Sequence, residues 1–259
     1  MKALIFKLGL NSLYSIRIPF TWQSALTYPI LPPSAVIGLI ANALQRYKND
    51  KHPIEYLKII EGKVIWAGSR LLTPCVIKSY ITSAIVKWED ILGGKFTNAL
   101  GREYAYTREL ECLIIFSDES LIKDLEVALI SSPLTCGDSE SPAYVDGEPK
   151  TLNVSEPQVD KVETSFPVPF NPTIQITEGR GKIYLMHERC HKKDESFPLK
   201  SFIVPIEEKG RILYPTTIKV PVENLIVLNT ENGLSVLIDV VHEESLVKKT
   251  KHKKKRKKR

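Results

Sequence analysis

TYPILPPSAVIGLIANAL, residues Thr27 to Leu44, closes a strand-like run and launches a helix in one step. Pro32 and Pro33 suit a first helical turn, where a missing N–H leaves no bond unmade. Val36, Ile37, Ile40, Ala43, Leu44 and Tyr47 then recur at three- and four-residue spacings, which predicts a helix with one apolar stripe running to about Lys48. Gly38 inside it costs roughly 1 kcal/mol relative to Ala, so close approach of another backbone or a ligand is the expected reason for it. A tightly packed core helix is the plainer alternative.

Working outward, Lys2 to Leu10 (KALIFKLGL) has the length and apolar content of a first strand. Asn11 to Thr27 mixes Tyr14, Arg17, Phe20 and Trp22 with small polar residues and Pro19, which predicts a loop with exposed aromatic and basic groups. After the helix, Gly62 to Ala67 and Leu71 to Lys78 read as strands separated by Gly68-Ser69-Arg70. From Ser79 to Glu111 apolar patterning weakens. Trp88, Phe96, Tyr104 and Tyr106 alternate there with Lys87, Lys95, Arg102 and Arg108 around Gly93-Gly94. So long a connection inside a compact domain points to a functional extension, and its aromatics argue against disorder.

Leu110 to Phe116 (LECLIIF) reads as a buried strand. Ser117 or Asp118 is placed to cap a second helix through about Ile130, which Pro133 ends. Leu134 to Val145 then turns into a short strand. Strand, helix, strand, strand, helix, strand describes an α+β, ferredoxin-like unit over residues 1–147, with the extension at about 79–111. Residues 148–247 change to proline-punctuated strand-sized runs, with Asn232-Gly233 as a hairpin signal, and predict a small antiparallel β-rich C-terminal part. Residues 248–259 hold ten basic residues and no acid, and this tail is expected to be disordered when free.

The formal charge of +6 is uneven along the chain. Up to Cys112 there are 14 basic and 8 acidic residues, whereas residues 113–247 hold 12 and 22. Such asymmetry suits a polyanion held by the first segment and the tail, with an acidic remainder facing elsewhere. Cys75, Cys112, Cys136 and Cys190 lack paired spacing and read as buried thiols of a reducing compartment, so no disulfide framework is implied. Without a long apolar run or a signal-like start, a cytoplasmic protein with no membrane association is expected.

Three local sequences, taken with this element order, resemble the Cas-five family, the CRISPR-associated proteins of the RAMP superfamily that cap one end of the Cascade surveillance complex. The first is Tyr28-Pro29-Ile30-Leu31-Pro32-Pro33-Ser34 running into Ile37-Gly38-Leu39. The second is Gly101-Arg102-Glu103-Tyr104, before the third strand. The third is Pro133-Leu134 followed by Gly137-Asp138-Ser139-Glu140-Ser141. They span roughly residues 1–145, and the nearest style within the family is archaeal type I-A or I-B.

The resemblance implies a non-catalytic subunit that grips the 5′ handle of the guide crRNA. It also implies a β-hairpin thumb lying against a backbone (Cas-seven) subunit and the guide–target duplex, with the large subunit and target DNA as further partners and no cofactor. A single-stranded handle is read by stacking bases on aromatics, by hydrogen bonds to base edges and by cations at phosphates. The residues expected to do this are Arg17, Trp22, Tyr28, Arg70, Lys87, Trp88, Lys95, Arg102, Tyr104 and Arg108. Plainer roles stand beside these: an ion pair of Arg102 with Glu103 or Glu109, hairpin packing for Tyr104 and Trp88, solvated charge for Arg17 and Arg70, and packing on the helix start for Tyr28.

The rival is a metal-independent RAMP endoribonuclease processing precursor crRNA, with His, Tyr or Lys as general base. None of His52, His187, His191, His242 and His252 lies in the N-terminal loop or beside the first helix, where such a base is expected. His187-Glu188-Arg189-Cys190-His191 lacks a second ligand pair and reads as a strand end rather than a zinc site. Gly179-Arg180-Gly181 reads as a hairpin turn rather than a phosphate cradle. A non-catalytic RNA-binding subunit is therefore the expected function.

Overall fold

The computed structural model describes residues 1–21, 24–84, 98–172, 174–191, 198–222 and 224–239. The chain begins with β1 (Lys2–Leu10) and β2 (Ser24–Ala25), then α1 (Pro33–Lys48) and α2 (Pro53–Glu61). Next come β3 (Val64–Leu71), β4 (Cys75–Ala84), β5 (Asn98–Tyr106), β6 (Glu109–Phe116) and α3 (Ile122–Ser131). After them lie β7 (Leu134–Thr135), β8 (Pro142–Ser155), β9 (Lys161–Thr164), β10 (Val168–Pro169), β11 (Glu178–Gly179) and β12 (Lys182–His187). The described chain ends with β13 (Leu199–Val204), β14 (Ile206–Lys209), β15 (Ile212–Pro215), β16 (Ile218–Pro221), β17 (Leu225–Thr230) and β18 (Ser235–Asp239). The fold is mixed, largely β with few helices.

The largest sheet has the order β18-β17-β8-β1-β6-β3, every neighbouring pair antiparallel, with β7 beside β8. Both faces of its middle strands are covered, which is why β1 and β6 read as near-continuous apolar runs instead of alternating ones. Leu4, Phe6 and Leu8 point into a cluster with Ile37, Ile40 and Leu44 of α1 and Leu125 and Leu129 of α3. Ala3 and Ile5 point the other way, onto Trp66, Phe166, Leu228, Val236 and Ile238. The C-terminal strands are thus the second cover of the sheet. The boundary expected at residue 147 falls inside β8, at a bulge where the register with β1 shifts between Asp146 and Lys150, and β8 pairs with β1 on both sides of it. The expected β-rich character of the C-terminal part is present, but its strands are shared among sheets. Hairpin β17–β18 extends the main sheet, and β14–β15 pairs with β4. Gly233, at φ +83°, makes the Asn232-Gly233 turn between β17 and β18.

Helix α1 starts and ends where the periodicity placed it, with Pro33 in the first turn and Asn49 in the left-handed conformation beyond the last. Close approach does not explain Gly38, since a side-chain carbon there would meet nothing within 4 Å. Helix α2 was not foreseen. Its start is marked by Pro53 after His52, whose Nδ1 accepts the Ile54 N–H at 3.3 Å. Helix α3 starts later than expected because Asp118 spends its carboxylate on a local turn, accepting the Ser120 N–H at 3.0 Å.

The break expected at Gly68-Ser69-Arg70 lies instead inside β3, and the interruption falls at Leu72–Pro74, where the chain passes into β4 without reversing and stays opposite the β5–β6 arm. Gly68 is there to receive a neighbour: a Cβ would stand 2.6 Å from the Trp66 indole. Ser69, fully buried, donates its hydroxyl to the Leu31 carbonyl and accepts the Leu31 N–H, both at 2.9 Å. That pair of bonds ties the Pro-Pro segment to the sheet. Likewise Gly179-Arg180-Gly181 is a crossing between sheets, not a hairpin, because β11 pairs with β16 and β12 with β13.

Ser69→Ala removes the partner of two buried backbone groups, and about 1–3 kcal/mol of stability should be lost, read as a lower urea midpoint at unchanged slope. Burial also pushes the Cys75 thiol from 9.0 up to about 11. A raised folded value favours the fold fully below pH 9 and loses that contribution as pH climbs toward 11. The urea midpoint should therefore fall over this range, and Cys75→Ala should make the fall shallower.

Candidate nucleic-acid interface

The three sequence motifs, far apart in the chain, meet at the base of the β4–β5 hairpin. The loop after β1 is stitched to β5 by Tyr14, which exchanges backbone bonds with Ala105 at 2.9 and 2.8 Å. The Tyr14 hydroxyl, closed off from solvent, donates to the Pro29 carbonyl at 2.6 Å. Burial drives its phenol well above the usual range, so it stays a neutral donor.

Alternation along β5 sends Arg102 and Glu103 to opposite faces, and each fixes a different motif. Glu103 accepts the Thr27 N–H at 3.1 Å, one residue before the Tyr28 motif. Arg102 forms an ion pair with Asp138, donates from Nε to Ser15 Oγ at 3.3 Å, and lies 5.1 Å over the Tyr104 ring. Neither Glu103 nor Glu109 is its ion-pair partner. Asp138 is aimed by Gly137, whose φ of +83° and position 2.5 Å (as a Cβ) from the Ser15 carbonyl admit no side chain. Ser141 completes the junction, donating to the Leu13 carbonyl at 2.8 Å.

Register places Lys78 opposite Tyr104 and Tyr80 opposite Arg102, so these four share one face of the hairpin. The Tyr80 and Tyr104 rings meet edge-on, 5.8 Å apart at 73°. Lys78 and Tyr80 were not in the expected set. Only the strand register could reveal them, because it decides which residues of β4 face Arg102 and Tyr104.

The remaining expected residues divide. Arg17 turns back on its own loop, donating from Nε to the Thr21 carbonyl at 3.1 Å. Arg108 is open to solvent beside Glu109 at 3.6 Å. Trp22, Lys87, Trp88 and Lys95 lie outside the described residues, as does the tail 248–259. Two positions require correction. Tyr28 is 2% exposed, its ring packed edge-on against Tyr184 and its hydroxyl donating to the Leu185 carbonyl, so it has no surface left for a base. Arg70 pairs with Glu111 at 2.5 Å and sits 5.1 Å from the Phe166 ring, joining β3 to β6 rather than facing outward.

The His187–His191 segment is a latch. Arg189 donates to the Val64 and Ile65 carbonyls at 3.0 and 3.1 Å. Glu61 accepts the Cys190 N–H at 2.5 Å and pairs with His191 at 2.7 Å. Among the described residues no group of three or more His, Cys, Asp or Glu could hold a metal.

The family model described as CRISPR-associated protein (Cas_Cas5) matches residues 5–125, which include the first motif, the hairpin and the second motif. Over that part, just under half of its length, the chain is similar to the Cas5 family. A crystal structure of a CRISPR protein from Archaeoglobus fulgidus has the same overall fold, with a TM-score of 0.59 at 14% identity over 92% of this chain and 98% of that one. A chain in a cryo-EM structure of the Type III-B Cmr-beta complex bound to cognate target RNA and AMPPnP is similar at a TM-score of 0.47 and 10% identity, covering 83% of this chain and 86% of its own. A CRISPR-associated Cas6 protein follows at 0.33 and 9%, covering 85% and 87%. No curated protein matches the sequence. Among the described residues no helix is long and apolar enough to cross a membrane.

Gly137→Ala tests the junction. Strain at a positive φ and the clash with Ser15 should cost about 1–3 kcal/mol of stability in thermal unfolding, against a surface-scale effect for Ser139→Ala, whose side chain lies at an exposed turn.

Proposed function

We propose that this chain is a Cas5-family, non-catalytic RNA-binding subunit of a type I Cascade complex, gripping the 5′ handle of the guide crRNA. In this reading β8, β1, β6 and β3, with α1 and α3, form a ferredoxin-like unit, and the β4–β5 hairpin is a thumb laid against a backbone subunit and the guide–target duplex. The large subunit and target DNA are then its further partners, in the cytoplasm of an archaeal type I-A or I-B style system. The observation that carries the reading is the junction itself, where Asp138 holds the Arg102 guanidinium over Tyr104 on a half-open sheet face. A fixed cation beside an aromatic ring is what an unstacked base and its phosphate require.

The non-catalytic half of the reading rests on how the described histidines are used. His52 caps α2, His187 Nδ1 is 3.2 Å from the Pro198 carbonyl, and His191 pairs with Glu61. Each is committed to local structure rather than presented beside Arg102 and Tyr104.

Handle RNA and a scrambled RNA of equal length, titrated against the full-length protein, test the reading. Arg102→Ala and Tyr104→Ala should each weaken handle binding about tenfold or more, with a smaller loss for the scrambled strand. Repeat RNA incubated with the protein in metal-free buffer should stay intact. Cleavage at one site would establish the nuclease instead, and equal losses for both RNAs would mean that the protein reads charge only.

A further inference from the structure

The hairpin sheet continues beyond the motif junction into the C-terminal part, with the order β14-β15-β4-β5-β2. Direct cross-strand partners share a face, so the residue pairings define what that face displays. Val76 lies opposite Tyr106 on one side and Ile212 on the other, and Lys209 lies opposite Ile212. Tyr214, two residues beyond Ile212, is on the same face. Four tyrosines therefore line up across three strands: Tyr80 on β4, Tyr104 and Tyr106 on β5, and Tyr214 on β15.

Near the base of the hairpin the reverse face is core, with Cys75 and Ala105 fully buried, whereas Tyr80 and Tyr106 are each 47% exposed. Lys78 and Arg102 stand between the rings, and the Lys209 ammonium lies 5.8 Å over Tyr214. Among the described residues, the one acid that register puts on this face is Glu207, opposite Tyr214. It is neutralised by Lys209 at 2.9 Å and Arg180 at 3.2 Å, and the Lys209 hydrogen bond holds its carboxyl below the usual carboxylate range. The other nearby carboxylate, Asp138, is paired with Arg102. What remains is an aromatic surface with net positive charge.

We propose that this face is a stacking platform for single-stranded RNA, with successive unpaired bases lying on the tyrosines and the lysines at the phosphates. It rests on the reading of the chain as an RNA-binding subunit and extends the ligand from the motif junction onto the C-terminal hairpin. Residues two apart in a strand are roughly 6.8 Å apart, and neighbouring strands about 4.8 Å, so the rings offer a close succession of flat contacts to an extended strand. A duplex hides the faces of its bases and gains nothing from such a surface. Because every base has a π-face, the platform holds whatever sequence follows the handle, while discrimination stays at the junction.

The test uses the full-length protein with three fluorescent probes: a twelve-nucleotide oligouridine, an abasic strand of the same length, and an RNA duplex. Replacing Tyr106 and Tyr214 together by Ala should weaken oligouridine binding about tenfold or more and leave the abasic strand and the duplex unaffected. Replacing both by Phe, which keeps the rings, should preserve wild-type affinity, and circular dichroism checks that each variant is folded. Unchanged oligouridine binding in the alanine pair, or an equal loss for the abasic strand, overturns the platform. Unchanged RNA binding combined with lost association with a backbone subunit assigns the face to protein and overturns it equally. Handle preference in the same variants separates the two readings: loss of preference in Arg102→Ala with intact oligouridine binding in the tyrosine pair leaves the handle assignment standing alone.

Discussion

The two middle strands of the main sheet are apolar on both faces, and everything else in the molecule follows from having to cover them twice. Helices α1 and α3 bury Leu4, Phe6 and Leu8 on one side. Phe166 and the β17–β18 hairpin bury Ala3, Ile5, Leu113 and Ile115 on the other. Each buried large aliphatic side chain contributes about 1.5–3 kcal/mol relative to exposure, so neither cover is dispensable for a fold whose net stability is only about 5–15 kcal/mol. The same demand draws Phe202, Val204, Ile206 and Leu213 into the helix-side core. It thereby anchors β14 and β15, which pair with the hairpin.

Covering the sheet also fixes the site. The Pro-Pro segment is held down by Ser69, the loop after β1 by Tyr14, and the turn after α3 by Ser141 and Gly137. Glu103 and Arg102, adjacent in sequence, reach opposite faces of β5 and so connect two of these segments to one strand. The Arg102–Asp138 pair is part exposed and adds little stability by itself. Its consequence is geometric: a flexible guanidinium is held in one place over Tyr104, and in the proposed function this reduces the ordering that binding must supply.

Charge is divided to match. The outward hairpin face carries Lys78 and Arg102, while its acid, Glu207, is neutralised locally by Lys209 and Arg180. Arg70 and Arg189, by contrast, are consumed inside the fold, one by Glu111 and one by two backbone carbonyls. Arginines near strand ends look alike in sequence, and only the neighbours brought by packing decide which are structural.

The sequence by itself determined the elements that local physics controls. Pro33 and the three- and four-residue spacing set α1, the apolar run of Lys2–Leu10 set β1, and Asn232-Gly233 set a hairpin, because each signal lies within a few residues of its effect. It also brought Arg102 and Tyr104 into view, through a short motif on one strand. Tertiary structure alone decided the rest. Gly68-Ser69 reads as a break between two strands until Trp66 and Leu31 are seen to need that glycine and that hydroxyl. Tyr28 reads as an available aromatic until Tyr184 and Leu185, more than 150 residues away in the chain, enclose it. Tyr80, Lys78 and Tyr214 join the site only through strand register, a long-range choice made by which faces the core must bury.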